Sequence, residues 1–148
     1  MKMLSIAFKE AMRMFPPLGV LHRVCAKKYT IQELDITIDP GVKIQVPLQA
    51  IHNDEQYFVN PSEFVPERFA DVKTERHSFA YLPFGAGPRA CLGARLGEMQ
   101  SLAGLTAILQ KFSVEPSAST LRVPEIDHTS NIVQGVLGLP LKLTMRKK

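Results

Sequence analysis

The ten residues FGAGPRACLG, 84 to 93, set three glycines, a proline, an arginine and one of the chain's two cysteines directly ahead of a helical pattern. Glycine opens left-handed backbone and lets another group come close, so a thiol among glycines is one the chain leaves uncrowded. The stretch that follows, 94 to 111, carries Leu96, Met99, Leu102, Leu105, Ile108 and Leu109 at helical steps, the broad apolar stripe of a well-buried helix. Cys91 therefore stands at a helix entrance, where free N–H groups and the helix dipole stabilise an anion and place the sulfur to exist as thiolate. Such a sulfur is a soft donor for iron. Arg89, two residues earlier, presents a planar cation suited to a carboxylate. A cofactor with a metal centre and peripheral carboxylates would use both.

Other readings of the loop are weaker. Gly85, Gly87 and Ala90 formally satisfy a dinucleotide fingerprint, but Pro88 lacks the N–H a pyrophosphate cradle needs and Pro83 interrupts the strand that should precede it. Glu115, the first carboxylate at a plausible strand end, comes too late for the ribose. No Gly-Lys-Ser/Thr follows, which excludes a Walker loop. His22 and Cys25 are spaced like half of a zinc site without a second pair. Cys91 as a nucleophile, with His22, His52, His77 or His128 as its base, stays open at this level, because partners in space need not be partners in sequence.

Around the loop, the period of Leu4, Phe8, Ala11, Met12 and Phe15 predicts a helix over 3–14 that Pro16-Pro17 stops. Between 20 and 47 short β-branched segments (VLHRV, YTI, DITI, VKIQV), with Asp39-Pro40-Gly41 as the sharpest turn, predict a small antiparallel sheet. Residues 52 to 83 hold no period, and their aromatics (Tyr57, Phe58, Phe64, Phe69, Phe79, Tyr81) are expected to pin an irregular segment to the core. FSVEP, NIVQGV and LKLTM read as further strands. The fold class is thus mainly α with small β-sheets (α+β), in one unit over 1–148. A net charge of +4 with scattered Lys and Arg excludes a nucleic-acid footprint. No apolar run is long enough to span a bilayer, and no secretory signal opens the chain. Two cysteines far apart are read as reduced, in a cytosol-facing protein.

Phe84, Gly87, Arg89, Cys91 and Gly93 reproduce an FxxGxRxCxG signature, Glu10-Ala11-Met12-Arg13 an ExxR, and Pro66-Glu67-Arg68-Phe69 a PERF element, in that family's order. In these three motifs the chain resembles the cytochromes P-450, the haem-thiolate monooxygenases, and is most similar to microsomal eukaryotic members of the insect detoxifying type. The resemblance covers the whole chain and corresponds to roughly the C-terminal third of a family member. It implies the C-terminal, haem-binding part of that fold, from the ExxR helix through the Cys loop to the last strands. Ile31-Gln32-Glu33-Leu34 departs from the relatives' Pro-Gly turn and implies a longer or looser hairpin.

The resemblance also implies roles. Cys91 would be the axial thiolate of haem b, with backbone N–H groups around Gly93 bonded to the sulfur. Gly85 would belong to the same cofactor-binding loop. Arg89 and Arg23 would pair with the haem propionates, and Phe84 would pack beside the thiolate. Glu10, Arg13 and Arg68 would form a buried charge network. Leu18, Gly19, Val20 and Leu21, with Val136 and Leu137, would wall a lipophilic substrate, and Arg95 would belong to a basic face that meets an acidic NADPH-dependent flavoprotein reductase. The family's place is the cytosolic face of the endoplasmic reticulum membrane, reached through an N-terminal anchor that this stretch lacks. The rival expectation is a fragment without independent catalysis, at most a partial haem-binding module.

Overall fold

Helix α1 spans Lys2–Met14 and makes its last turn through the Phe15 amide, which donates to the Ala11 carbonyl at 2.8 Å. Pro16, buried, cannot continue the ladder because it has no N–H. The structure, a computed structural model, describes residues 2–70, 79–121 and 138–147. The apolar stripe of α1 is only half the story of its packing. Its most buried residues are Ile6, Glu10 and Arg13, one face at helical spacing, two-thirds of it charged.

The segment after α1 forms two separate antiparallel ladders, not the one small sheet the pattern predicts. Strand β1 (Leu21–Val24) pairs with β4 (Lys43–Val46), Leu21 opposite Val46. Strands β2 (Tyr29–Ile31) and β3 (Ile36–Ile38) pair with each other. The inner hairpin closes through a 3-10 turn over Gln32–Leu34 and a left-handed Asp35 (φ 52°), the longer connection that replaces a tight turn. Strand β3 passes into β4 through the turn at Asp39-Pro40-Gly41, where the Val42 amide donates to the Asp39 carbonyl. With strands of three or four residues, the two pairs remain separate two-stranded ladders.

Helix α2 (Leu48–His52) is short, starts after Pro47, and buries Leu48 and His52 against α1. Of the aromatics in the irregular stretch, Phe58 and Phe69 are buried and Tyr81 half-buried, whereas Phe64 and Phe79 lie more than half exposed. Burial within the set is deepest at Phe58 and Phe69. The PERF residues themselves form a 3-10 turn, Pro66–Phe69, packed on α1.

Helix α3 (Ala94–Lys111) leads directly into β5 (Phe112–Pro116), which pairs antiparallel with β6 (Leu141–Met145). The expectation of a well-buried helix is corrected here. None of its residues is buried, and Leu96, Met99, Leu105 and Ile108 are 39% to 60% exposed. An apolar stripe states what a helix is able to bury, not what covers it; among the described elements α3 packs against α1 and β5. The candidate strand NIVQGV lies outside the described residues. No described helix is long and apolar enough to cross a membrane. The architecture is the mixed class expected: helices with small antiparallel sheets and a core of Ile6, Leu48, Phe58, Phe69 and Ala80.

Candidate functional site

Cys91 is presented by a closed loop. Its amide donates to the Phe84 carbonyl at 2.8 Å, so the ends of the turn meet, and two residues after it Gly93 caps α3. Within the turn the Gly85 amide donates to the Leu82 carbonyl (3.0 Å) and the Ala90 amide to the Gly87 carbonyl (3.0 Å). Both loop glycines sit in left-handed backbone, Gly85 at φ 72° and Gly87 at φ 71°, which other residues adopt at a cost. The thiol side of Cys91 is exposed, as are Arg89, in a 3-10 turn over Gly87–Arg89, and Gly93. Phe84 is half-buried, its Cε1 4.0 Å from where a side chain on Gly97 would begin, so the ring lies on the first turn of α3.

Strand β1 supplies the facing wall. Leu21 and Arg23 are two apart, so their side chains share one face of the strand. A Cβ on Gly85 would stand 3.8 Å from Leu21 Cδ1 and 4.0 Å from Arg23 Nη2, which brings both side chains to the Cys91 loop. Arg23 also donates from Nη1 to the His22 carbonyl at 2.8 Å. Leu18 and Val20 are exposed and Gly19 half-buried, ahead of this strand, whereas Val136 and Leu137 lie outside the described residues.

Beneath the loop lies a charge network. Glu10 and Arg13 form a two-pronged pair, with Arg13 Nε on Oε2 and Nη2 on Oε1, both at 2.9 Å and both side chains fully buried. Arg13 spends its other donors on the carbonyls of His52 (2.7 Å) and Pro61 (2.8 Å), and its guanidinium lies 5.3 Å above the Phe58 ring. Arg68, 14% exposed, donates from Nε to Glu10 Oε1 at 3.0 Å and from Nη1 to the Val59 carbonyl at 3.0 Å. Burial alone would push the Glu10 carboxyl up. The bonds from Arg13, from the Val65 amide and from Arg68, with the Arg13 charge, outweigh it and hold Glu10 below the usual carboxylate range.

The elements that link network and loop have no motif of their own. His52 is buried completely, with Nδ1 3.2 Å from the Arg13 carbonyl and Nε2 3.0 Å from the Leu82 amide. Both ring nitrogens are thereby committed, so the reading of His52 as base for Cys91 is dropped. His22 lies exposed, and His77 and His128 are outside the described residues. Cys25 donates its S–H to the Lys27 carbonyl at 2.9 Å and tightens a surface turn. No three His, Cys, Asp or Glu side chains gather as a polydentate metal site among the described residues. The groove of about 740 Å³ between α1 and α3, lined by Met3, Leu4, Ala7, Thr106, Leu109, Gln110 and Arg146, shares no residue with the Cys91 loop and is not the chemical site.

A family profile described as Cytochrome P450 matches residues 1–143. The chain belongs to the cytochrome P450 family. It is 36% identical over 148 residues to cytochrome P450 6B6 of Helicoverpa armigera. It is 35% identical over 142 residues to cytochrome P450 6k1 of Blattella germanica, and 36% over 146 residues to cytochrome P450 6d1 of Musca domestica. These alignments cover 99%, 95% and 99% of this chain but only 29%, 27% and 28% of the relatives' lengths. The chain therefore spans less than a third of the curated cytochromes P450 it matches.

The residues present fit the family's haem on this side. One exposed soft sulfur sits on a loop free of competing side-chain ligands, with arginines in the loop and on the facing strand for carboxylates and apolar Phe84 and Leu21 beside it. One consequence concerns Gly85. Alanine there meets only ordinary van der Waals neighbours at 3.8 to 4.0 Å, so its cost is the left-handed backbone, ~1–2 kcal/mol. Gly85→Ala is expected to lower the denaturation midpoint of the complete gene product by that amount at unchanged slope, and Gly85→Asn by less, since asparagine tolerates this region.

Proposed function

We propose that this chain is the haem-binding portion, as one unit over residues 1–148, of a haem b monooxygenase. The enzyme would insert one atom of O2 into a lipophilic organic substrate with electrons from an NADPH-dependent flavoprotein reductase, at the cytosolic face of the endoplasmic reticulum. The observation that carries the reading is the closed turn from Phe84 to Cys91, which offers one sulfur beside the Arg23 and Leu21 face of β1. Membership of the cytochrome P450 family supports it.

In this reading Cys91 Sγ would hold the haem iron, and Arg89 and Arg23 would hold the cofactor's carboxylates. Bound there, the cofactor supplies the activation of oxygen, its electronics set by the thiolate. The chain's own residues hold and shield. Phe84, laid on α3, limits water at the sulfur, where a wet and polar surrounding would weaken the donor. The amides of the loop fix the sulfur's approach, and Glu10, Arg13 and Arg68 fix the segment behind it. Leu18, Gly19, Val20 and Leu21 would offer an apolar wall suited to lipophilic substrates, the role the resemblance also gives to Val136 and Leu137 by sequence, and the basic face around Arg95 suits an acidic reductase.

The test is a reconstitution of the complete gene product with a flavoprotein reductase, NADPH and isotopically labelled O2 over a panel of lipophilic compounds. One labelled oxygen per product, with NADPH consumed, is expected. Full haem loading with the label found only in water or peroxide would overturn the monooxygenase reading.

A further inference from the structure

One buried titratable group has no place in the haem chemistry above: His52. Its ring is fixed by partners whose roles admit no choice. A backbone N–H only donates, so the Leu82 amide at 3.0 Å requires a lone pair on Nε2, and the proton then sits on Nδ1, aimed at the Arg13 carbonyl at 3.2 Å. The His52 carbonyl in turn accepts from Arg13 Nη1 at 2.7 Å. Arg13 and His52 thus exchange two bonds, guanidinium to carbonyl one way and imidazole to carbonyl the other. Tyr81 lies alongside, its ring stacked on His52 at 5.5 Å and its hydroxyl donating to the Lys9 carbonyl at 3.0 Å. Both residues that lead into the Cys91 turn, Tyr81 and Leu82, are in this way tied to α1. From Leu82 the bonds continue, its carbonyl taking the Gly85 amide and the Phe84 carbonyl taking that of Cys91.

We infer that His52 is a positioning residue for the Cys91 loop: as a neutral ring it bridges the Arg13 carbonyl and the Leu82 amide, and so holds the loop in register with the Glu10–Arg13–Arg68 network. The inference rests on the haem-thiolate reading of Cys91. Protonation would put an N–H at Nε2 against the Leu82 N–H and break the bridge. Among the described residues, no carboxylate oxygen is shown bonded to the ring, so an imidazolium would keep the Arg13 carbonyl at Nδ1 and face the Leu82 N–H at Nε2. On α1 the nearest charge is the Arg13 cation, and both Glu10 oxygens are taken by Arg13, Arg68 and the Val65 amide. Tyr81 offers a ring face. Burial, with the Arg13 charge, accordingly holds His52 below the usual imidazole range, against the pull of its bond to the Arg13 carbonyl. A base depressed in the folded state stabilises fully above its unfolded value of about 6.5, and that stability is lost as pH falls from there through the lower folded value.

Two substitutions divide the ring's functions. His52→Gln can keep an acceptor near the Nε2 position and does not titrate, whereas His52→Asn can keep a donor near the Nδ1 position but leaves Leu82 without an acceptor. The readout is the ferrous carbonyl spectrum of the complete gene product between about pH 5 and 8, with the rate of haem loss to a scavenger protein. The unmodified protein is expected to lose its thiolate-type band reversibly on acidification. His52→Gln is expected to keep the band and lose that acid step, and His52→Asn to lose haem roughly tenfold faster at neutral pH. An acid step unchanged in His52→Gln, or wild-type haem retention in His52→Asn, overturns the inference. If neither variant folds, hydrogen exchange at the Leu82 amide of the unmodified protein decides. Protection that collapses at mild acid while the α1 amides stay protected supports the bridge, and protection independent of pH overturns it. This exchange reports on His52 whether or not Cys91 binds iron, so failure of the positioning role and failure of the haem-thiolate reading give different results.

Discussion

Arg13→Ala in the complete gene product is expected to give a protein that carries no haem. Arg13 is fully buried and divides its donors among the Glu10 carboxylate and the carbonyls of His52, Pro61 and, at 3.3 Å, Glu63. Removing it leaves a buried carboxylate with only Arg68 and the Val65 amide and strands those carbonyls in a dry interior. The expected cost is ~3–5 kcal/mol, most of it the penalty of the uncompensated charge and not the worth of the intact pair. Arg13→Lys is expected to fail nearly as badly, since an ammonium is a point charge and cannot reproduce a fork directed at four acceptors. Arg68→Ala removes a partly exposed member and is expected to cost less, although it too loosens the turn at Pro66–Phe69. Haem content per polypeptide measures all three, and normal loading in Arg13→Ala would show the network to be dispensable.

Phe58→Ala is expected to be comparably severe for a different reason. The ring is 2% exposed and lies beneath the Arg13 guanidinium at 5.3 Å. Truncation opens a cavity, ~3–5 kcal/mol for a buried phenylalanine, and removes a desolvated cation–π contact of about 2 kcal/mol, a share of the same loss. Phe58→Leu separates the two by keeping most of the volume without the quadrupole. A cycle of Phe58→Leu with Arg13→Lys is expected to be non-additive, because the first removes and the second displaces the same cation–ring contact. Additive losses would mean that the ring serves only as filling.

The contrast between what the residues announce and what the fold uses follows from the kind of information each interaction carries. The Cys91 turn is legible because its glycines and its cysteine are particular residue types with fixed spacing. The same holds for Glu10, Arg13 and Arg68, which are recognisable as motifs although hydropathy places charges on the solvent side. In α1 the stripe of Leu4, Phe8, Ala11 and Met12 is real, yet the deepest face runs through Ile6, Glu10 and Arg13, and no periodicity argument finds a buried face made of ions. His52 and the carbonyls of Pro61 and Glu63 were illegible for another reason: a backbone acceptor has no side-chain identity, and a lone histidine ending LQAIH has no spacing to read. The two hairpins within 20–47 were visible as strands but not as separate ladders, because alternation fixes faces and not neighbours. The exposure of α3 was equally hidden, since a stripe names no partner.

The most direct measurement is the ferrous carbonyl spectrum of Cys91→Ser beside that of the unmodified complete gene product. If Cys91 sulfur holds the iron, the unmodified protein is expected to show the thiolate-type Soret band, and serine, a hard and weak donor, to abolish it while the loop, closed by the backbone bond from residue 91 to Phe84, keeps its shape. An undiminished thiolate-type band in Cys91→Ser would place the iron on another ligand and contradict the account.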